Sequence, residues 1–224
     1  QLTILFKFML RIFHKYLSLA ISVQLLLWTI SGIYFAFNKI ELIRGEQYIL
    51  EQENPEVNLE KFTASFKAKN ITILQRLDEW ILKVEEGPIV HYIDLKGEKL
   101  NSLNSEEAKQ IVRDRTSLIP LIAVKIEKPS KGSEFRGRNL PMFKVTTNSN
   151  EEVNVYIDAL SGEVAAIRSD SWRIWDFLWG THIMDYSERE NIDNLLLKIF
   201  SILALVSALS GIVLFFSGLK RKNF

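Results

Sequence analysis

Two long apolar runs break an otherwise mixed pattern of hydrophobic and polar positions. Residues 16–37 and 199–219 contain no charged side chain. At about 22 and about 21 residues, each run is long enough to cross a hydrocarbon layer of roughly 30 Å. Both are therefore expected to be transmembrane helices, over 16–37 and, with a short lead-in, 195–219. Between them the period changes. Residues 58–69 and 105–114 read as short helices, and each precedes three strand-like runs. The first set is Ile71-Thr72-Ile73-Leu74, Trp80-Ile81-Leu82-Lys83-Val84 and Ile89-Val90-His91-Tyr92-Ile93-Asp94; the second is Ile122-Ala123-Val124-Lys125-Ile126, Met142-Phe143-Lys144-Val145 and Val153-Asn154-Val155-Tyr156-Ile157-Asp158.

The order helix, strand, strand, strand thus occurs twice, and the last hairpins agree residue by residue. Tyr92-Ile93-Asp94 turns to Gly97-Glu98, and Tyr156-Ile157-Asp158 turns, one residue later, to Gly162-Glu163. Asp opens each turn and Gly closes it, because glycine supplies the positive φ that such turns need. An internal duplication accounts for this economically. The expected fold class is membrane α-helical, with two transmembrane helices and an α+β domain of two helix-plus-antiparallel-strands repeats. The expected division is 1–15 as an N-terminal segment, 16–37 as the first span, 38–104 and 105–170 as the repeats, 171–194 as an amphipathic interfacial aromatic segment, 195–219 as the second span and 220–224 as a tail.

Charge gives this division an orientation. All 27 acidic residues lie between Glu41 and Asp193, whereas Lys7, Arg11 and Lys15 precede the first run and Lys220, Arg221 and Lys222 follow the second. The positive-inside rule then predicts both termini in the cytoplasm and the segment 38–194 outside. In a bacterium this means a multi-pass protein of the inner membrane with a periplasmic central domain. That domain is mildly acidic, since Lys198 and the six flanking cations lie outside it, and it offers no basic face for nucleic acid. A removable signal peptide is the competing reading of the first run. The run is too long for one, and Tyr34-Phe35-Ala36-Phe37-Asn38 has no small-x-small cleavage pattern.

The chain has no cysteine. Disulfides, thiolate catalysis, cysteine-ligated iron–sulfur clusters and covalent c-type haem are excluded. There is no Gly-x-Gly-x-x-Gly turn or phosphate loop for a nicotinamide or flavin nucleotide.

Small and polar residues mark both apolar runs. Helical spacing aligns His14, Ser18, Ser22, Leu25, Thr29, Gly32 and Ala36 on the first, with His14 near its cytoplasmic mouth, and Ser201, Ala204, Ala208, Gly211 and Gly218 on the second. Such seams allow a neighbouring helix or a flat cofactor close approach, and mutual packing is the simpler expectation. Before the second run, Trp172, Trp175, Trp179, His182 and Tyr186 would share one helical face, although Gly180 weakens the continuity of that helix. Aromatic belts also gather at membrane interfaces with no chemical duty. Asp176 and Asp185 either orient an imidazole there or cap and solvate the segment.

Several of these motifs resemble those of PepSY-associated transmembrane proteins. Asp158-Ala159-Leu160-Ser161-Gly162-Glu163 is similar to the terminal hairpin of PepSY domains. Phe13-His14-Lys15-Tyr16-Leu17 with Trp28-Thr29-Ile30-Ser31-Gly32 resembles the family's first helix, and Trp175-Asp176-Phe177-Leu178-Trp179 followed by His182 resembles its approach to the next one. The resemblance implies PepSY-like repeats, and a relation to ferric-siderophore reductases in which haem b carries electrons outward. It carries axial-ligand roles to His14 and His182 alone, leaving His91 structural or solvated. A first span of roughly 33 Å would hold those two imidazoles too far apart for one iron, whose axial nitrogens lie about 4 Å apart. A homodimer, or another membrane subunit, would supply the missing ligands. Electrons would come from a separate protein such as a cytoplasmic flavin reductase and pass to a periplasmic acceptor such as a ferric chelate. The alternatives are a protease-inhibitor-like binding or regulatory module, and an accessory subunit of a larger membrane complex.

Overall fold

The computed structural model describes residues 2–51, 56–57, 67–130 and 132–219. The chain divides into two compact units, one formed by 1–38 with 175–224 and the other by 39–174.

The helical unit contains α1 (Leu2–Phe37), the C-terminal part of α4 (Asp170–His182) and α5 (Leu195–Leu219). Both α1 and α5 are long and apolar enough to cross a membrane. Residues 2–15 of the expected N-terminal segment and the first span 16–37 form one helix, because Lys7, Arg11 and Lys15 favour helix, no proline interrupts the run and its one glycine, Gly32, lies near the C-terminal end. It stops where the Asn38 side-chain amide donates to the Tyr34 carbonyl at 2.8 Å. The start of α5 matches the expected lead-in: Asn194 Oδ1 accepts from the Leu197 N–H at 2.8 Å, capping the helix. The segment 171–194 is helical only as far as His182, after which Met184 adopts a positive φ of 56°. Tyr186 therefore lies beyond the helix end and is exposed, off the aromatic face expected of it.

The unit 39–174 opens with a single helical turn, α2 (Ile40–Ile43), and holds two antiparallel sheets. One has the order β1 (Asn70–Arg76), β2 (Glu79–Glu86), β3 (Ile89–Asp94); the other is β4 (Pro120–Ile126), β5 (Met142–Thr147), β6 (Asn154–Asp158), β7 (Val164–Arg168). The six expected strands are all present. The seventh, β7, has no counterpart among the strands expected from the pattern, because Val164-Ala165-Ala166-Ile167 is too short and too uniformly apolar to alternate. The helix expected at 58–69 falls largely outside the described residues.

Between the sheets in sequence runs α3 (Ser105–Arg115), which begins with a capping box. The Asn104 side chain accepts from the Glu106 and Glu107 N–H groups, and Glu107 accepts from the Asn104 N–H at 2.7 Å. The buried face of α3, with Ala108, Ile111 and Val112, packs on Phe143, Val145, Val155 and Ile157. The opposite face of the same sheet meets Phe135 from the β4–β5 connection, through Met142, Tyr156 and Ala166. Covered on both faces, β6 is buried at four of its five residues. At the margin of that second layer Glu134 accepts from Arg173 Nε at 2.6 Å, from Tyr156 Oη at 2.9 Å and from Asn154 Nδ2 at 3.3 Å.

The duplicated turns form as the sequence implies. Asp94 Oδ1 accepts from the Lys96 and Glu98 N–H groups, and Asp158 Oδ1 from those of Leu160 and Ser161. Gly97 and Gly162 close them at φ of 90° and 76°. Past the glycines the two copies diverge: the second turn leads into β7, whereas the first ends in one isolated bridge, Ile93 to Lys99.

Candidate functional site

The candidate site lies wholly within the helical unit and is organised by α1. Antiparallel contacts fix the register of α5 on α1: Ser18 Oγ lies 2.8 Å from Ser207 Oγ, His14 Nδ1 lies 2.8 Å from Ser210 Oγ, and Lys7 Nζ reaches the Ser217 carbonyl at 3.5 Å. This register sets His14 opposite Ser210 and Gly211, inside α5 rather than at its end. Gly211 makes room for the ring, since a Cβ there would stand 3.1 Å from His14 Cε1.

The seams expected from helical counting are only partly used. On α1 the covered face runs through His14, Ser18, Ile21, Gln24, Trp28, Ser31 and Phe35, while Ser22, Leu25, Thr29 and Ala36 are exposed. On α5 the contact uses Ser207, Ser210 and Gly211, while Ser201 and Ala208 are exposed and Gly218 has nothing near it. On α1 the physical reason is the period. A sustained contact between two helices follows a step of about 3.5 residues, whereas the expected line, with steps averaging about 3.7 residues, winds off the seam.

His182 occupies a second site farther along α1. Its Nδ1 lies 2.6 Å from Ser31 Oγ, and its ring stacks on Trp179, with centroids 6.5 Å apart and planes 8° apart. Trp28 and Phe35 supply two more rings, at 6.4 and 5.7 Å. Trp175 stacks on Trp179 at 5.5 Å, so the expected aromatic face exists over Trp175, Trp179 and His182. Trp172 belongs to the other unit, where the Arg168 guanidinium sits 4.4 Å above its ring. Burial pushes the His182 imidazole below its ordinary pKa, favouring the neutral form.

Side chains of α1 also satisfy the last carbonyls of α4, which have no partner within their own helix. Gln24 Nε2 donates to the Thr181 carbonyl at 3.1 Å, and Trp28 Nε1 donates to the His182 carbonyl at 2.7 Å. Asn194 Nδ2 adds a bond to the Ile183 carbonyl at 2.9 Å. The His182 backbone is thereby pinned next to the hydroxyl that meets its ring.

Gly180 does not interrupt α4. A Cβ there would stand 2.8 Å from Arg189 Cγ, so glycine lets the arginine stem cross the helix and reach Asp176 Oδ2 at 2.7 Å. Asp176 is thus ion-paired, with only 4% of its side chain exposed, and the hydroxyl of Ser31 takes the place expected of it beside the imidazole. Asp185 is likewise committed elsewhere. Desolvation opposes its ionisation, but the N–H groups of Asn191, Glu190, Ser187 and Glu188 outweigh that and hold its carboxyl well below the usual range. It organises the α4–α5 connection, which is the capping role.

His14 and His182 are not brought together. Ser31, the contact of His182, lies 17 residue steps beyond His14 on α1, or roughly 26 Å at about 1.5 Å per residue. His91 lies on β3 in the other unit, with Nε2 4.0 Å from Glu86. Among the described residues no three His, Asp or Glu side chains gather as a metal-binding group. Sequence reasoning missed Gln24, Ser31, Ser207 and Ser210. A usable signal existed: polar side chains inside an uncharged run, placed three, four or seven residues from a histidine or from one another. Comparison of the chain with protein-family models, curated proteins and solved structures finds no match.

Proposed function

We propose that this chain is a membrane-embedded electron-transfer subunit that binds haem b, with His14 and His182 each supplying one axial imidazole. The observation that carries the proposal is the common construction of the two histidines: each presents Nδ1 to a serine hydroxyl of a packed helix, at 2.8 and 2.6 Å. An imidazole held through one nitrogen offers the other to a metal, and a hydrogen-bonded outer nitrogen is the usual support of a ligating histidine. The surroundings suit a flat apolar group, with Gly211 beneath one ring and Trp179, Phe35 and Trp28 around the other.

Bound haem would supply one-electron chemistry, Fe(III) to Fe(II) and back. The chain's own residues hold the imidazoles oriented, and α1 keeps the two levels apart. Because each level offers one imidazole, two copies related by a two-fold axis would complete two sites, which makes a homodimer the proposed assembly; a different membrane subunit is the alternative. The charge asymmetry of the sequence and the resemblance to PepSY-associated transmembrane proteins support a bacterial inner-membrane location, with both termini cytoplasmic and the unit 39–174 periplasmic. On this reading a cytoplasmic flavin reductase delivers the electrons, and the acceptor is a periplasmic ferric chelate.

The test is a reduced-minus-oxidised spectrum of the full chain, purified in detergent with haem supplied. A Soret band and a sharp α-band are expected, with loss of signal in both His14→Ala and His182→Ala. A colourless preparation, or spectra indifferent to both substitutions, would overturn the proposal.

A second reading rests on a separate observation. Strand β4 forms one edge of its sheet and exposes Ile122 and Val124 at 63% and 56%. Such an edge accepts a partner's strand by β-addition, which would make the unit 39–174 a binding or regulatory module.

A further inference from the structure

The two serines share a feature that the proposed ligand roles do not use. Ser31 Oγ donates to the Leu27 carbonyl of its own helix at 2.8 Å, with the Trp28 carbonyl at 3.1 Å. Ser210 Oγ donates to the Ser207 carbonyl at 2.8 Å. A hydroxyl has one proton to give and lone pairs to accept with. With that proton directed into the helix backbone, each oxygen faces its histidine as an acceptor, so the ring nitrogen facing it must carry the hydrogen.

We infer that Ser31 and Ser210 are positioning residues that hold His182 and His14 in the Nδ1–H tautomer, leaving Nε2 as the nitrogen with the free lone pair. The inference deepens the ligand reading above and rests on it for its purpose, though the tautomer itself is a property of the metal-free chain. The arrangement is stiff on both sides. Ser31 is fully buried and Ser210 nearly so, and the backbone of His182 is tied to Trp28. A neutral imidazole free in water divides its proton between the two nitrogens; here the choice is made by a helix carbonyl three or four residues from each serine. The same hydrogen bond sets the ring plane, so a ligand approaching Nε2 meets a lone pair of fixed direction. At His14 the Ser18 hydroxyl is, among the described residues, the one neighbour that competes for that lone pair, at 3.5 Å from Nε2, and its contact with Ser207 Oγ is much the shorter at 2.8 Å.

The chain has three histidines, which makes the test direct. Nitrogen-15 imidazole spectra of the metal-free full chain in detergent, at a fixed pH of about 8, above the ordinary imidazole pKa of about 6.5, report the protonated nitrogen of each ring. The expected result is a protonated Nδ1 at both His14 and His182, with His91 as the exposed reference. Ser31→Ala should release His182 into a tautomer mixture while leaving His14 unchanged, and Ser210→Ala should do the converse. Each variant provides the reading if the other fails to fold. In haem titrations each should weaken retention roughly ten- to hundredfold, as loss of a ligand's supporting hydrogen bond does. A wild-type Nε2–H tautomer at either histidine, or tautomers and haem retention both indifferent to the substitutions, would overturn the inference. Fixed Nδ1–H tautomers in a chain that takes up no haem would instead remove the ligand reading and leave the role of the serines standing.

Discussion

The two units of this chain are held together by opposite means. In 39–174 the interior is apolar, with Val145, Val155 and Ile157 of adjacent strands fully buried under α3, and the polar network of Glu134, Tyr156, Asn154 and Arg173 sits at the margin. In the helical unit hydroxyl, amide, indole and imidazole groups join apolar Ile21 and Phe35 in the contacts between elements, while Leu19, Val23, Ile202 and Phe215 point outward, each more than 60% exposed. An apolar interior is the solution for a surface bathed in water. Polar contacts beneath an apolar exterior suit a solvent that already matches leucine and cannot drive helices together by itself. The contrast agrees with the length and apolarity of α1 and α5, which suffice to cross a membrane, without reference to any charged residue.

The sharpest way to break the contrast is to remove volume from the apolar core. Ile157→Ala should cost the unit 39–174 about 4 kcal/mol, read as a fall in its denaturation midpoint, while the absorbance of the Trp175–Trp179 pair stays unchanged. A smaller effect is expected at the polar margin. Glu134→Gln removes a charge-assisted partner of Arg173 and should cost about 2 kcal/mol. Desolvation works against the Glu134 carboxylate, but Arg173 and Tyr156 outweigh it and hold its pKa below the ordinary 4.5. The native state thus favours the ionised form, so its contribution is fully present above pH 4.5 and is lost as pH falls toward and through the depressed value. Acid titration of thermal stability should show a steeper decline in this window for the wild type than for Glu134→Gln. The smallest effect belongs to the helix pair. Ser207→Ala should weaken α1–α5 association by about 0.6 kcal/mol, the typical worth of a hydrogen bond between apolar helices; a double-mutant cycle with Ser18→Ala checks it, and a coupling near zero would mean that packing alone holds the pair.

How far the sequence revealed this arrangement depended on how each part is patterned. The hairpins of 39–174 were legible because Asp and Gly mark their turns and alternation marks their strands, and the bounds of α5 followed from the length of its apolar run. The seam between α1 and α5 was not. In an apolar run nearly every position is hydrophobic, so periodicity carries little information, and the covered face must be read from a few polar residues instead. Counting at straight-helix spacing placed His14 and Ser18 correctly and then drifted onto Ser22 and Thr29, missing Gln24 and Ser31. The two histidines were visible as residues; the hydroxyls beside them come from a different turn of the chain, and no local spacing connects Ser210 to His14 or Ser31 to His182.

Gly180 has a clearance that leaves no slack. A methyl group at that position would press on the Arg189 stem and stand 3.1 Å from the Asp185 carbonyl oxygen. The guanidinium would have to withdraw, taking its ion pair from a carboxylate whose side chain is only 4% exposed. A single hydrogen atom on the α4 backbone therefore acts as the keyway through which the return segment is locked to the helix that precedes it.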